Sequence, residues 1–256
     1  MNIPTDHKPI PSPSYKRAPI TECIIELRVA DGISQSEIDS IASRLQGAHP
    51  TSADVMAAEL TIDTATGVVT GPPASSPRGK RMVSEDGANV VLLTPNFLTT
   101  ARLPPYPRWE ALFDRARENW NEWLAVVGHR QLARVGVRYI NRIDIPVSES
   151  GTIDLGEYLT FQPETKALQL PVANFFTQAT LGITWKKPWL VNIATATSPV
   201  SVPNAVSILL DIDVHRLSGL PAASDDPWPM IAEAREIKND IFQRALTENA
   251  KGLFDL

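Results

Sequence analysis

The chain has 256 residues, a formal charge of −5, 22 prolines and one cysteine. It is long enough to bury a core without disulfide staples, and its acidity argues against a protein that coats nucleic acid without specificity, because such binding rests on basic residues neutralising phosphates. No apolar run reaches the ~18 residues of a membrane span, and no basic patch precedes an apolar run near the start, so the chain reads as a cytoplasmic protein with no membrane contact.

Residues 1–18, MNIPTDHKPIPSPSYKRA, are rich in proline and poor in apolar side chains, which predicts an extended arm that orders only by docking on the body. The rest, 19–256, is expected to be one domain. PITECIIELRV then alternates, with Cys23, Ile25, Leu27 and Val29 on one face and Glu22, Ile24, Glu26 and Arg28 on the other, the mark of a strand with one polar face. Ser34 and Glu37 form a capping box ahead of Ile38, Ile41, Ala42 and Leu45, so a helix runs from about Gln35 to Gln46.

Three strand-like runs follow, ADVMAAELTID, GKRMVSED and ANVVLLTPNFLTTARL, divided by a turn region at 67–79 and by a hairpin signal at Asp86-Gly87. After a proline-rich entry, Trp109, Leu112, Phe113, Ala116, Trp120, Trp123, Leu124 and Val127 make the apolar stripe of a long helix.

The order then recurs. RQLARVGVRYINRIDIP reads as a strand, TIDLGEYLT as a short helical segment, and VANFFTQATLGITWK, PWLVNIATAT and AVSILLDIDVHRL as three strands. A last helix, capped by Asp226 with Pro227 at its first position, runs through WPMIAEAREIKNDIFQRALTENA. The prediction is an α+β fold: a large, twisted, mainly antiparallel sheet built from two strand-helix-three-strand-helix halves (19–128 and 129–256), with the long helices on one face. The halves share element order and essentially no residue identity, so an internal pseudo-repeat is read from order alone.

Three stretches, APITECIIELR, PPYPRWEALF and RVGVRYINRI, together resemble a sporadically distributed family of uncharacterised bacterial proteins of similar length. In that family an Ala-Pro-Ile-x-Glu strand opens the chain and an Arg-x-Gly-Leu-Arg-Tyr-Ile-Asn strand lies near the middle. The likeness spans most of the first 145 residues and is looser beyond them. Val137 stands where the family usually has leucine. The resemblance implies no activity, cofactor or catalytic residue. The family's patchy occurrence suits a gene carried on mobile elements, so an accessory part of a mobile-element or phage-defence system is one functional expectation.

The candidate site lies in RVGVRYINRIDIP. Alternation puts Arg134, Gly136, Arg138, Ile140, Arg142 and Asp144 on one face, and Val135, Val137, Tyr139, Asn141, Ile143 and Ile145 on the core face. Arginines four residues apart on a strand stand about 13 Å from one another, too far for all three to grip one small anion. Glu22 and Glu26 repeat at the same spacing, so pairing of the two strands would set glutamates against arginines. On this reading Arg138, central in the row, is the buried and paired member, and its loss is strongly destabilising. The functional alternative is a ligand face, since guanidinium groups bind carboxylate or phosphate bidentately.

Asp211, Asp213 and His215 share one face of LLDIDVHRL and are the candidate metal ligands, with the more ordinary role of acidic partners for the arginines beside it. Nucleophilic chemistry has little support. Cys23 falls on the core face, His7, His49 and His129 sit in no nucleophile motif, and no phosphate-binding glycine loop or C-x-x-C pair occurs. Trp185 and Trp189, flanking Lys186-Lys187-Pro188, are read as an exposed loop tip that could touch a partner. The expected function is non-enzymatic binding, without a cofactor, of a protein partner, a second copy of the chain or a small anionic ligand, nucleic acid being disfavoured. A metal-dependent nucleic-acid or phosphoryl-processing enzyme using the Asp211, Asp213 and Arg138 region is the competing class.

Overall fold

The computed structural model describes residues 7–11, 13–57, 61–62, 69–70, 76–147, 153–163, 165, 167, 170, 172–199 and 202–255. The first half comprises β1 (Ile20–Val29), α1 (Gln35–Leu45), β2 (Thr51–Ala57), β3 (Thr61–Ile62), β4 (Val69–Thr70), β5 (Ser76–Val83), β6 (Asn89–Leu93), β7 (Phe97–Arg102) and α2 (Trp109–Val127). The second comprises β8 (Leu132–Pro146), a 3-10 turn (Leu155–Glu157), β9 (Phe176–Gly182), β10 (Leu190–Ser198), β11 (Ala205–Arg216), α3 (Trp228–Ala245) and α4 (Glu248–Gly252).

Nine strands form one open antiparallel sheet in the order β2-β5-β6-β7-β1-β8-β11-β10-β9, while β3 and β4 pair as a separate ribbon. The protein is therefore α+β with a large antiparallel sheet, as its patterning predicts. β1 and β8 meet at the centre, and from them the order runs outward as β7, β6, β5 and as β11, β10, β9. Among the described residues no helix is long and apolar enough to cross a membrane.

Alternation decides which face is buried. Cys23, Ile25, Leu27 and Val29 of β1, Val135, Val137, Tyr139, Ile143 and Ile145 of β8, and Ile208, Leu210, Ile212 and Val214 of β11 point into one core, where α1, α2 and α3 lie. α1 starts in a closed capping box, with the Ser34 hydroxyl accepting from the Glu37 amide and the Glu37 carboxylate accepting from the Ser34 amide at 2.7 Å. These bonds hold the Glu37 carboxyl below its usual range. Trp109, Leu112, Ala116, Trp120, Trp123 and Val127 are the buried stripe of α2, which stops at Gly128, whose φ of 72° is open to glycine without strain.

Several boundaries differ from the sequence reading. The run 88–103 is two strands, β6 and β7, because Thr94 closes a turn through its amide to the Phe97 carbonyl at 3.0 Å. Four strands of the large sheet therefore lie between α1 and α2, where three were expected. The Asp86-Gly87 hairpin forms as expected, with Gly87 at φ 71°. Much of the predicted strand and turn over 58–75 lies outside the described residues. The last helix breaks at Leu246, whose backbone is extended and bridges Leu159, and Thr247 then caps the short α4. A tertiary bridge wins there over continued helix. Asp226 still accepts from the Trp228 amide at 3.1 Å, although the helix begins one residue later than predicted.

The arm docks on α3 and the C-terminus. The Ile10 amide donates to Asp240 at 2.8 Å, the Arg17 amide donates to the Phe254 carbonyl at 3.0 Å, and Tyr15 packs edge-on against Phe254. His7 stacks on Trp185 with ring centroids 3.7 Å apart. The loop carrying Trp185 and Trp189 is therefore no free tip. Trp189 is buried and donates from Nε1 to Glu233 at 2.8 Å, and Lys186 pairs with the same carboxylate at 2.9 Å.

Candidate functional site

The face of the sheet turned away from the helices carries every candidate residue. Register decides how they meet. Glu26 stands opposite Gly136 and Glu22 opposite Ile140, while on the other side of β8 Asp213 stands opposite Arg138 and Asp211 opposite Ile140. No arginine faces a carboxylate that it bonds directly across the ladder. Each reaches to a diagonal neighbour or along its own strand.

Arg134 is the centre of the network. Its Nη1 donates to Glu26 at 2.6 Å and its Nη2 donates to both oxygens of Asp213 at 2.7 Å. Asn192 adds a bond to Asp213 at 3.1 Å. All three ionic side chains are largely buried, at 13% exposure for Arg134, 18% for Glu26 and 15% for Asp213. Gly136 makes room for this arrangement, because a Cβ there would stand 2.7 Å from Arg134 Nη1. The glycine of the RVGVRYIN motif lets the guanidinium lie over β8.

Arg138 differs from the expectation. Its side chain is 45% exposed, and it bonds Asp211 through Nε at 2.9 Å and Nη2 at 2.5 Å. The Asp211 hydrogen bond keeps its guanidinium ionised more firmly than usual against the opposing effect of burial. Arg142 turns along its own strand to Asp144 at 2.9 Å and across to Ser207 at 3.2 Å. The buried arginine is thus Arg134, and only Glu26 of the two expected glutamates takes an arginine of β8. Among the described residues Glu22 has no ion-pair partner, and Asp211, Asp213 and Asp144 take the places expected of glutamates.

Asp211, Asp213 and His215 do share the face, but both carboxylates are turned to guanidinium groups. His215 is buried, its Nδ1 3.7 Å from Asp213 Oδ2. Among the described residues no three His, Cys, Asp or Glu side chains converge as metal ligands. The remaining histidines are dispersed. His49 is buried with neither ring nitrogen hydrogen-bonded among the described residues, and burial depresses its basicity, while His129 contacts the Ala223 carbonyl at 3.1 Å. The Cys23 thiol is fully buried, and burial pushes its pKa up to about 12, which leaves it an inert core group.

Beside the ion pairs the same face forms a concavity of about 560 Å³. Ile24, Leu92, Phe97 and Ala101 give it an apolar floor, Glu22 and Arg138 stand on one flank, and Arg81 of β5 stands on the other. Arg81 is exposed and has no ion-pair partner among the described residues. Arg28 closes a corner, bonded to Glu26 at 3.2 Å and lying over the Phe97 ring at 5.5 Å. Sequence reading missed Arg81 because only the register of β5 on β6 brings it to this face, opposite Leu92. Comparison of the chain with protein-family models and with curated proteins finds no match.

Proposed function

We propose that the protein is a non-enzymatic binding protein that receives a segment of a partner polypeptide on the uncovered face of its sheet. The observation that carries this reading is the concavity itself, in which an apolar floor separates Arg81 from Glu22, neither of which has an ion-pair partner among the described residues. These residues lie on strands three places apart in the sheet, about 14 Å across the strands. An extended segment with an acidic and a basic side chain at its two ends and apolar groups between them complements that arrangement.

The saturated pairs around Arg134 support the same reading. They leave that arginine no free donor pair for a ligand and tie β1, β8 and β11 together beside the concavity. The carboxylates on the face disfavour a nucleic-acid partner. The commitment of Asp211 and Asp213 to arginines favours binding over a metal-dependent reaction. A single, buried cysteine accords with the reducing cytoplasm. The outward strand order from β1 and from β8 also supports reading 19–128 and 129–256 as duplicated halves that meet on this face.

Site-specific photo-crosslinking in the producing cell tests the proposal. A photoreactive residue at Leu92, on the floor, should give a discrete crosslinked polypeptide that the same residue at exposed Leu217 does not give, and Arg81→Glu should abolish it. Identical adducts from both positions, or an adduct from position 92 indifferent to Arg81→Glu, would overturn it.

A further inference from the structure

On the other side of β8, where Tyr139 and Asn141 point toward the helices, lies a second cavity of about 680 Å³. The arm, the loop before α2 and one face of α3 enclose it. Its charge runs against that of the whole protein. Lys16, Arg17, Arg108, Arg235 and Lys238 line it against the single carboxylate of Glu110, and none of the five makes an ion pair among the described residues.

Lys238 is the innermost of these cations. It falls on the buried stripe of α3 with Ile231, Ala234 and Phe242, and it is only 7% exposed. Its ammonium has no hydrogen-bond partner among the described residues and sits 3.7 Å from the centre of the Tyr139 ring and 5.8 Å from that of Phe242. A buried cation held only by aromatic faces is incompletely satisfied, and a bound anion would complete it. Arg235, three residues earlier on the same helix face, lies over Trp109 at 5.2 Å. Next to Lys238 the Tyr106 and Tyr139 hydroxyls are 2.8 Å apart. One donates to the other, and the acceptor keeps its own O–H free to donate to a ligand.

We propose that this cavity is a second ligand site, for a small organic anion bearing a planar ring. The carboxylate or phosphate sits between Lys238 and Arg235 and takes the free tyrosine O–H, while the ring packs among Tyr106, Trp109 and Phe242. Size, excess positive charge and aromatic walls all fit such a ligand, and the site is independent of the sheet face. Burial, with Arg235 adding to it, lowers the Lys238 pKa to about 7. Besides the charged side chains that line the cavity, Lys16, Arg17, Arg108, Glu110 and Arg235, the titratable groups beside it are Cys23, Tyr106 and Tyr139, and burial raises the pKa of each. These three stay protonated near neutral pH, so anion affinity should follow the protonation of Lys238.

Calorimetry with benzoate, phenyl phosphate and neutral benzyl alcohol as probes tests the site. At least one anion should bind saturably and benzyl alcohol should not; benzoate alone assigns a carboxylate ligand and phenyl phosphate alone a phosphate ester. Affinity should fall at least roughly tenfold between pH 7 and 9, where both anions are essentially ionised, as Lys238 loses its proton. Lys238→Met and Arg235→Gln should each weaken binding about tenfold or more. Arg235 is only half-buried, so that variant and the pH series decide the matter if Lys238→Met fails to fold. No saturable heat from either anion, equal binding of benzyl alcohol, or wild-type affinity in the variants with no pH dependence would overturn the proposal.

Discussion

Arg134 donates from one guanidinium nitrogen to both carboxylate oxygens of Asp213, 2.7 Å away on the neighbouring strand. With Glu26 on the opposite side, Arg134 joins β1, β8 and β11 through one largely buried group. Removing it leaves Asp213 largely buried with no guanidinium partner and Glu26 with only the more exposed Arg28. Arg134→Ala is expected to cost about 3 to 5 kcal/mol. Arg138, 45% exposed, should cost less than about 1 kcal/mol on the same substitution. Paired denaturant melts of the two variants check the order, and equal losses would show that burial is not what separates them.

Gly136 should be coupled to Arg134. A Cβ at 136 displaces the guanidinium, so Gly136→Ala alone should destabilise by about 1 to 3 kcal/mol through the broken pairs. In an Arg134→Ala background the same change should cost far less, because nothing remains to displace. A double-mutant cycle measures this. Additive losses would mean that the glycine answers to the backbone and not to the arginine.

Lys238 gives stability a pH dependence of known sign. Its folded pKa, about 7, lies below the ordinary value of 10.5. Below pH 7 both states hold the proton and the burial penalty is fully present. Between about 7 and 10.5 the unfolded chain binds a proton that the folded chain lacks, so this group's effect is to raise stability as pH rises. Lys238→Met should therefore raise the melting temperature by several degrees at pH 6 and by much less at pH 10. A gain that does not change with pH would contradict the assignment.

Cys23 should resist alkylation. Fully buried, with a pKa near 12, its thiol should not react with iodoacetamide at pH 8 until the protein unfolds. Mass spectrometry along a urea series reads the modification, which should track the unfolding transition. Labelling well before that transition would indicate local opening of the core around β1.

The arm should contribute modestly. Deleting residues 1–14 removes the His7–Trp185 stack, the Arg244 bond to the Lys8 carbonyl and the Ile10 bond to Asp240, but keeps Tyr15 and leaves Asp240 paired with Arg244 at 2.8 Å. A fall of a few degrees in melting temperature, on the scale of ~1 kcal/mol for a domain of this size, is expected. Loss of soluble protein would show the arm to be part of the core.

Periodicity made most of the fold legible. Alternation in 19–29 and 134–146 marked both central strands and their buried faces, and the 3.6-residue stripes of α1, α2 and α3 marked the helices. The chain also carried an unread signal for Lys238, which occupies a stripe position between Ala234 and Phe242. It escaped notice because a lysine in an apolar stripe is usually taken to reach out to water. The break at Leu246 depends on a partner distant in sequence, Leu159, whereas the split of 88–103 is a local turn from Thr94 to Phe97 inside a run whose apolar residues continue on both sides of it.

The sequence by itself determined the α+β class, the faces of the central strands and the presence of an arginine row and of carboxylate rows on strand faces, because these follow from side-chain period along single elements. Only the tertiary structure decided which arginine is buried, which carboxylate it takes and which charges stay free. Those outcomes rest on strand register and sheet order, where a shift of one residue turns every side chain to the opposite face and a change of neighbour replaces glutamate by aspartate as the partner. Arg134 and Arg138 are the same residue type on the same face of the same strand. The first is buried because Gly136 lets it lie back between Glu26 and Asp213, whereas the second, with Asp211 alone to hold it, stays half in water.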